Sequence, residues 1–360
     1  MRSNRVIEQN TLSDDALFRG EWMFFGKTKY YLMADIGGTK SVLAIIDDKY
    51  HIKFKKIYPS QEIRNLAETI NQFLREPECR QYTVKVASLA IAGPINNERT
   101  FAQPTHTEWS VDANNIIQHT PLRKVLLIND FEATGFSIDQ LKPEQYTELT
   151  DFGRNTKGTI AIIGAGTGLG VGILSYDGKR HTPIASEGGH VSLPIRADDA
   201  IDIKLESFLK KKGLYKDAED VISGRGIANI YNFLSTQNIR YNKKSHGIIS
   251  KASIDEKPAL ITKYALEDKD ILCIRTLEIF IKYYARTASN LALTTLCSEL
   301  VIAGGIAPKI LPVLQDMFIE VFTQPERAHI RKFLEHVTII VITDTDVNLY
   351  GSLNALNYEY

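Results

Sequence analysis

Two separate segments of this chain share one pattern, an apolar strand followed by a glycine-rich turn and a second apolar strand. In the first segment the strands cover 30–35 and 41–46. In the second, the pattern covers 159–174, with its glycines within 164–170. Apolar runs interrupted by a short glycine turn are typical of β-hairpins. The same layout occurs twice although the two sequences differ, which predicts two lobes that each contain such a hairpin.

Further short apolar runs indicate more strands, which helices would cover on both faces. These runs lie at 85–92, 125–128, 300–303 and 338–342. Helical spacing of apolar side chains is found at 64–73, 200–212, 221–235, 256–267, 271–296, 308–323 and 348–356. The pattern predicts an α/β fold. We expect an N-terminal extension at 1–28, a small α/β domain at 29–140 completed by a C-terminal helix at 345–360, and a large α/β domain at 141–344.

The composition is that of a globular protein, with 44% hydrophobic and 24% charged residues in a chain of 360 residues. Such a length exceeds one ordinary core and agrees with two lobes. Basic and acidic residues both total 43, so the basic excess typical of nucleic-acid-binding proteins is missing. No apolar run approaches the roughly 20 residues that a membrane span needs. The three cysteines are scattered, which favours a reducing compartment over a disulfide or zinc framework.

The first glycine turn carries groups that can hold phosphate. Asp35 ends the first strand, and Gly37, Gly38, Thr39 and Lys40 follow it. Successive backbone N–H groups around glycine can bind an anion, Thr39 and Lys40 can donate to phosphate oxygens, and Asp35 can hold Mg²⁺ directly or through water. The turn is not a Walker A loop, because Thr39 separates glycine from lysine and a strand follows. A plain hairpin turn is the alternative.

The second glycine turn is expected to pack against the nucleotide as well. Its candidate residues are Gly164, Gly166, Thr167 and Gly168. The run fails the dinucleotide-binding fingerprint, because Leu169 or Val171 stands where the third glycine belongs and a strand follows instead of a helix. Gly304 and Gly305 follow the strand at 300–303, where a turn of small residues would let a nucleotide base or ribose lie against the backbone. A turn that starts a helix without binding a ligand is the alternative.

Asn129 and Asp130 stand at the end of the strand at 125–128, and ligands bind outside the carboxyl ends of strands in open α/β sheets. A carboxylate there can accept the proton of an alcohol as it attacks phosphorus. Asp130 is therefore the candidate catalytic base, and Asn129 offers donors and an acceptor to neighbouring hydroxyls. As a helix N-cap, Asp130 would have a structural role instead.

Three further polar residues are candidates for sugar binding, namely Glu187, His190 and Glu219. Glu187 and His190 flank a flexible Gly-Gly pair, and together they supply the donors and acceptors that sugar hydroxyls need. His190 could instead bind a metal together with His181, or it could have a purely structural role. For Glu219 the sequence alone favours a capping or surface carboxylate over sugar binding.

The order of these motifs resembles that of the bacterial-type glucokinases, within the superfamily of sugar kinases, heat-shock ATPases and actin. The matching segments lie between about 30 and 355, at 34–40, 127–131, 164–170, 187–190, 218–224 and 303–305. Each segment is weak alone, and the ordered set is specific. The resemblance implies a two-lobed sugar kinase and actin-like (ribonuclease H-like) α/β fold with a central ligand cleft.

The resemblance also implies an ATP-dependent glucokinase that phosphorylates the 6-hydroxyl of glucose, the first step of glycolysis. It makes Asp130 the base and gives Asn129, Glu187, His190 and Glu219 to the sugar. It brings Asp35 and the turn at 37–39 to phosphate and Mg²⁺, and Gly166, Thr167, Gly304 and Gly305 to the nucleotide. A cytoplasmic homodimer, with a sugar and a nucleotide as its small-molecule partners, is implied too.

The chain departs from the family pattern at one loop. Residues 104–108 stand where family members carry an Asn shortly before the residue equivalent to Trp109, which leaves sugar contacts from that loop open. A transcriptional repressor is disfavoured, because no zinc-binding cysteine cluster follows His190 and no helix-turn-helix precedes the first hairpin. A non-catalytic sugar sensor and a heat-shock-type ATPase remain as rivals. The acceptor could be glucose, mannose or glucosamine, and the donor could be ATP, ADP or polyphosphate.

Overall fold

The computed structural model describes residues 29–105, 107–215, 217–325 and 327–358. The predicted N-terminal extension at 1–28 lies outside these residues. The strands are β1 (Tyr30–Ile36), β2 (Lys40–Asp47), β3 (Ile52–Pro59), β4 (Val84–Ile91), β5 (Phe101–Ala102), β6 (Val111–Asp112), β7 (Lys124–Asn129), β8 (Tyr146–Glu148), β9 (Ile160–Ala165), β10 (Leu169–Tyr176), β11 (His181–Ser186), β12 (Glu299–Ala303) and β13 (Thr338–Ile342). The helices are α1 (Leu66–Leu74), α2 (Ala113–His119), α3 (Asp130–Ser137), α4 (Ala200–Lys211), α5 (Gly224–Ser235), α6 (Lys243–Lys251), α7 (Lys257–Leu266), α8 (Ile271–Thr295), α9 (Leu311–Phe322), α10 (Ala328–Leu334) and α11 (Val347–Tyr358).

The two main sheets share one topology. The first has the strand order β3-β2-β1-β4-β7, and the second has the order β11-β10-β9-β12-β13-β8. In each, three antiparallel strands are followed by two parallel ones, and the second sheet adds β8 as an antiparallel edge strand. This repetition confirms the predicted recurrence of a hairpin and the predicted α/β class.

The two predicted hairpins form the centre of these sheets. In the first, Asp35 of β1 pairs with Val42 of β2, so the turn at 37–39 lies directly beyond Asp35. In the second, Ala165 of β9 pairs with Leu169 of β10, so only three residues form the tip. Most residues of these four strands are buried, which explains why the strands are largely apolar.

Helices α3 and α11 lie side by side between the two sheets. Helix α11 packs on β1 and β4 through an apolar cluster that includes Leu349, Leu353 and Leu356. Helix α3 contacts the same cluster through Ala133 and also contacts β10 and β11 of the second sheet. The end of the chain thus returns to the first sheet. The boundaries predicted at 29–140 and 141–344 stay a prediction.

The larger hydrophobic core surrounds the long helix α8, whose Phe280, Tyr283 and Tyr284 are fully buried. It covers one face of the second sheet with helices α4, α5, α7 and α9. Among the described residues, none of the helices combines the length and the apolar character that crossing a bilayer requires. This core fixes β9 and β12, which carry two of the predicted nucleotide turns.

Candidate active site

Asp130 lies at the point where β7 ends and α3 begins. The Oδ1 atom of Asn129 accepts hydrogen bonds from the backbone N–H groups of Phe131 (2.9 Å) and Glu132 (3.3 Å), so Asn129 is the N-cap of the helix. The side chain of Glu132 accepts a bond from the N–H of Asn129 and completes a capping box. The structural alternative for Asp130 as an N-cap is therefore wrong. Asp130 is the first helical residue.

The carboxyl group of Asp130 is half-buried, and its pKa is raised to about 7. Loss of hydration on burial is the main cause, and the nearby charges of Asp35 and Glu187 add to it. Hydrogen bonds from the backbone N–H of Phe131 and from its own N–H oppose the rise. Asp130 can therefore take up and release a proton near neutral pH.

Asp35 stands at the end of β1, one residue before the phosphate turn begins. Its Oδ1 atom accepts a hydrogen bond of 3.3 Å from the Nδ2 atom of Asn348, at the start of α11. Burial raises the pKa of Asp35 and the charge of Asp346 raises it further, whereas Asn348 and Lys40 lower it. Two carboxyl groups with raised pKa values, Asp35 and Asp130, thus interact electrostatically at one edge of the first sheet.

The first glycine turn is held in place by Ser60, a residue that sequence analysis did not single out. The Oγ atom of Ser60 donates to the carbonyl of Gly37 (2.5 Å), and its N–H donates to the carbonyl of Thr39 (3.0 Å). Its own carbonyl accepts a 3.0 Å bond from the indole N–H of Trp109. The carbonyls of the turn are thus engaged by the protein, while Thr39 and Lys40 are exposed. Gly38, which precedes Thr39 in the turn, is half-buried.

The second glycine turn is closed by its own backbone and by Glu219. The N–H of Gly166 donates to the carbonyl of Gly168 (2.8 Å), and Thr167 is exposed at the tip. The Oε2 atom of Glu219 accepts a 3.0 Å bond from the N–H of Leu169. A predicted sugar-binding carboxylate therefore contacts the predicted nucleotide turn.

The phenyl ring of Phe131 fills the space above two glycines of the second hairpin. A Cβ atom on Gly164 would lie 2.8 Å from this ring, and one on Gly170 would lie 1.9 Å from it. Any side chain at Gly170 would displace the ring of Phe131, the residue that follows Asp130 in the chain. Gly164 thus has a packing role in addition to the nucleotide role predicted for it. The contact between the Phe131 ring and Gly164 connects α3 to the second sheet.

Gly304 and Gly305 follow β12 next to the second hairpin. Gly304 has a φ of +81°, and a Cβ atom there would lie 2.5 Å from the carbonyl oxygen of Ala165. The carbonyl of Ala165 also accepts a 3.2 Å bond from the N–H of Ile306. At Gly305 an added Cβ would meet only open space. The two turns predicted to face the nucleotide are thus direct neighbours.

The predicted sugar residues Glu187 and His190 are exposed, with 81% and 52% of their side chains accessible. The Nδ1 atom of His190 lies 2.8 Å from Oδ2 of Asp217, and its Nε2 atom lies 4.0 Å from Oε2 of Glu187. The bond to Asp217 is the main cause of a raised pKa of His190, and the charges of Glu219 and Glu187 add to it. Glu187, His190 and Glu219 are thus electrostatically linked. Glu219 is less exposed than the other two, with 17% of its side chain accessible, and its Oε1 atom accepts a 3.0 Å bond from Arg225.

His181, which was considered as a partner of His190 in a metal site, has other contacts. It is buried, with Nδ1 2.7 Å from a carboxylate oxygen of Asp139 and Nε2 2.9 Å from the carbonyl of Gly158. In the part of the chain that the structure describes, no group of three or more His, Cys, Asp or Glu residues is arranged to hold a metal ion.

Comparison with known proteins identifies the family of this chain. A family model described as Glucokinase matches residues 32–358. The chain belongs to the glucokinase family. It is 35% identical to a glucokinase of Nostoc punctiforme over 339 residues, which cover 89% of this chain and 97% of that protein. The residues matched by the family model include the predicted phosphate turns and the Asp130 region.

Solved structures of sugar kinases share the fold of this glucokinase-family chain. The crystal structure of a glucokinase from an Antarctic psychrotroph has a TM-score of 0.72 and 26% identity, and the match covers 92% of this chain and all of the other. A glucokinase of Streptomyces griseus in complex with glucose and AMPPNP has a TM-score of 0.63 at 18% identity, covering 91% and 98% of the two chains. The predicted two-lobed, actin-like sugar kinase fold is confirmed.

The predicted site residues come from six places in the chain, and electrostatic interactions or hydrogen bonds link several of them. Asp35 and Asp130 interact electrostatically, Asp130 senses the charge of Glu187, and Glu187 and Glu219 both act on His190. Asn129 is occupied as a helix cap, although its Nδ2 atom also donates 3.4 Å to the carbonyl of Gly93. The roles assigned to these residues stay predictions.

Proposed function

We propose that this chain transfers the γ-phosphoryl group of ATP to the 6-hydroxyl of glucose, with Asp130 as the catalytic base. The observation that carries the proposal is the half-buried carboxyl group of Asp130, whose pKa is raised to about 7 at the carboxyl end of β7. When the pKa of a base is close to the working pH, a substantial fraction of the base is ionised, and the ionised form still binds a proton strongly enough to accept it. Family membership supports glucose as the acceptor.

On the sugar side, Glu187, His190 and Glu219 would bind hydroxyl groups of glucose. Asp217 orients His190 through the 2.8 Å contact and favours its protonated form, so His190 would act as a hydrogen-bond donor. Glu187 and Glu219 would act as acceptors. Asn129 would contribute through the amide hydrogen that its capping role leaves available.

On the nucleotide side, ATP would lie between the two glycine hairpins, with the turn at 304–305 beside it. AMPPNP in the Streptomyces griseus glucokinase, an analogue of ATP, supports this donor. The half-buried Asp35 carboxylate is an oxygen ligand of the kind Mg²⁺ prefers, and one carboxylate suits an ion that takes its other ligands from phosphate and water. Bound there, Mg²⁺ would neutralise charge on the phosphate oxygens.

In the reaction, ionised Asp130 would accept the proton of the 6-hydroxyl as its oxygen attacks the γ-phosphorus in line. The bond from that phosphorus to the bridging oxygen of ADP breaks, which gives glucose 6-phosphate for glycolysis. Closure of the domains 29–140 and 141–344 on the substrates would exclude water and limit ATP hydrolysis. We expect a cytoplasmic homodimer, which light scattering in solution would test for its oligomeric part.

The proposal is tested by ADP release in a coupled assay with ATP, Mg²⁺ and glucose, mannose, fructose, glucosamine or N-acetylglucosamine. We expect release that depends on glucose and that is lost in Asp130→Ala. Calorimetric glucose binding without release from any sugar would point to the sensor alternative and would overturn the proposal. The comparisons do not favour that alternative.

The pH dependence of the reaction should report the ionisation of Asp130. Because a base must be ionised, kcat/KM for Mg·ATP is expected to rise with pH and reach half its plateau at about pH 7. The midpoint of kcat should lie lower, because a cation near Asp35 offsets the charge that raises the pKa of Asp130. A profile that is flat between pH 5.5 and 8.5, measured at constant ionic strength, would contradict the assignment.

The turn at 304–305 offers a matched pair of glycine substitutions. Gly304→Ala forces a side chain into positive φ and against the carbonyl of Ala165, so we expect a loss of about 2–4 kcal/mol in the free energy of unfolding. Gly305→Ala enters open space and should change stability by less than about 0.5 kcal/mol. If the nucleotide lies there, KM for ATP rises several-fold in Gly305→Ala. An unchanged KM for ATP would remove Gly305 from the nucleotide site.

A further inference from the structure

We propose that Asn348 is a positioning residue that holds Asp35 and the helix of Asp130 in a fixed relation. This inference rests on the proposed function, because it concerns the placement of the two carboxylates that the reaction would use. Asn348 lies in the first turn of α11, far from both in sequence, and none of the motifs singled out in the sequence includes it.

The amide of Asn348 connects the two carboxylate-bearing elements directly. Its Nδ2 atom donates to Oδ1 of Asp35 at 3.3 Å. Its Oδ1 atom accepts a 2.7 Å hydrogen bond from the hydroxyl of Thr134, one turn along α3 from Asp130. The Thr134 hydroxyl also lies 3.1 Å from the carbonyl oxygen of Asp130. The contacts therefore run from Asp35 through Asn348 and Thr134 to the backbone of Asp130.

The chemistry of the amide suits this position. A carboxylate only accepts hydrogen bonds, so residue 348 must donate to Asp35. The Thr134 hydroxyl has a single hydrogen, which it donates to Oδ1 of Asn348 in the shorter of its two contacts, so residue 348 accepts at that end. An Asn does both without adding charge. An Asp at 348 would only accept, and it would add a carboxylate to a region where Asp35, Asp130 and Asp346 already interact.

The attachment of α11 does not depend on Asn348. Leu349, Leu353 and Leu356 bury the helix against the first sheet. Asn354, two turns further on, donates 2.7 Å to the carbonyl of Phe136 and accepts from the hydroxyl of Tyr50. Asn348 differs from Asn354 in what it contacts, because its donor meets a carboxylate of the active site. Asn348 therefore fixes the orientation of the Asp35 side chain, at a site where small displacements lower the reaction rate.

The test compares Asn348→Ala with the control Asn354→Ala. Loss of the bridge lets Asp35 and the start of α3 shift, and a misplacement of about 1 Å can cost roughly a hundredfold in rate. We expect Asn348→Ala to lower kcat by about 10–100-fold while KM for glucose stays within about threefold. Asn348→Asp should lose at least as much activity. Asn354→Ala should lower the thermal midpoint, with kcat per folded molecule within about threefold of the wild type.

The other end of the bridge gives a second arm. Thr134→Ser keeps the hydroxyl and should retain activity, whereas Thr134→Val removes it and should reproduce the kcat loss of Asn348→Ala. If Asn348→Ala lowers kcat only in proportion to the folded fraction, or if Thr134→Val and Thr134→Ser behave alike, the inference is overturned.

A binding measurement separates this inference from the proposed function. Calorimetry of Mg·ATP needs no turnover, and Asn348→Ala should weaken Mg·ATP about fivefold or more relative to Asn354→Ala. A wild type that binds Mg·ATP but phosphorylates no sugar would refute the proposed function, and the binding difference would still decide the role of Asn348. A wild type that does not bind Mg·ATP overturns both.

Discussion

Replacing Asp130 with Asn should lower kcat by about 10²–10⁴. The amide keeps the shape of the side chain and the position at the start of α3, but it cannot accept the proton of the sugar hydroxyl. Because Asn129 caps the helix, the change leaves the cap intact. Glucose binding by calorimetry should stay within about tenfold of the wild type, and initial rates of ADP release measure the loss.

The matched control is Asp112→Asn in the same lobe. Asp112 caps α2 with two hydrogen bonds, and Asn caps a helix about as well as Asp does. This variant should keep its kcat. Asp130→Asn should also be at least as stable as the wild type at pH 8, because a raised pKa means that ionised Asp130 destabilises the folded state above pH 7. An unchanged kcat in Asp130→Asn would remove Asp130 from the role of base.

The sequence predicted the parts of the site that depend on local pattern. Each hairpin has its own signal, an apolar strand on both sides of glycine, and the carboxylate and glycine candidates other than Glu219 stand at or next to a strand end. The edge strands β3 and β11 were not predicted. Strand β3 is largely exposed and carries Lys53, Lys55 and Lys56, so it lacks the continuous apolar run of a central strand. Its pairing with β2 is a tertiary contact.

The residues that support the site were missed for the same reason. Ser60 holds the first turn, Asp217 orients His190 and Asn348 bridges Asp35 and Thr134. Each acts across a long stretch of chain, and nothing in its own neighbourhood reveals this. The N-cap of α3, by contrast, has a signal in the local sequence. The pattern Asn-x-x-Glu at 129–132 is a recognisable capping box, and it would have identified Asn129 as the cap.

The sequence therefore identified Asp130 as the candidate base, but it could not predict the raised pKa that suits Asp130 to accept a proton. The pKa of Asp130 is raised by burial and by the charges of Asp35 and Glu187, which lie far from it in the sequence. Likewise, the sequence assigned Gly164 to the nucleotide, and only the fold reveals that Phe131 covers it. The segment 138–159, which leads from α3 to β9 and contains β8, is another feature that depends on distant partners.

Glu299→Gln is the substitution with the largest expected effect on stability. Glu299 is fully buried on β12, and the Arg154 guanidinium contacts it with Nη2 at 2.6 Å and Nε at 3.1 Å from Oε1. Nη1 of Arg154 also donates to the carbonyl of Ile138, beyond the end of α3, so the pair anchors the segment 138–159 to β12. Breaking a buried pair leaves an uncompensated charge and costs about 3–5 kcal/mol. Thermal unfolding followed by circular dichroism should show a midpoint lowered by roughly 5–10 °C.

The control for this change is Glu206→Gln, which removes the same charge from a pair that Glu206 forms with the exposed Lys210. Solvent screens such a pair, so its loss should cost no more than about 1 kcal/mol. The double variant Glu299→Leu with Arg154→Met should recover most of the loss, because a buried pair replaced by apolar side chains of similar size is often neutral. If Glu299→Gln unfolds at the temperature of Glu206→Gln, the ion pair of Glu299 and Arg154 does not stabilise the segment 138–159.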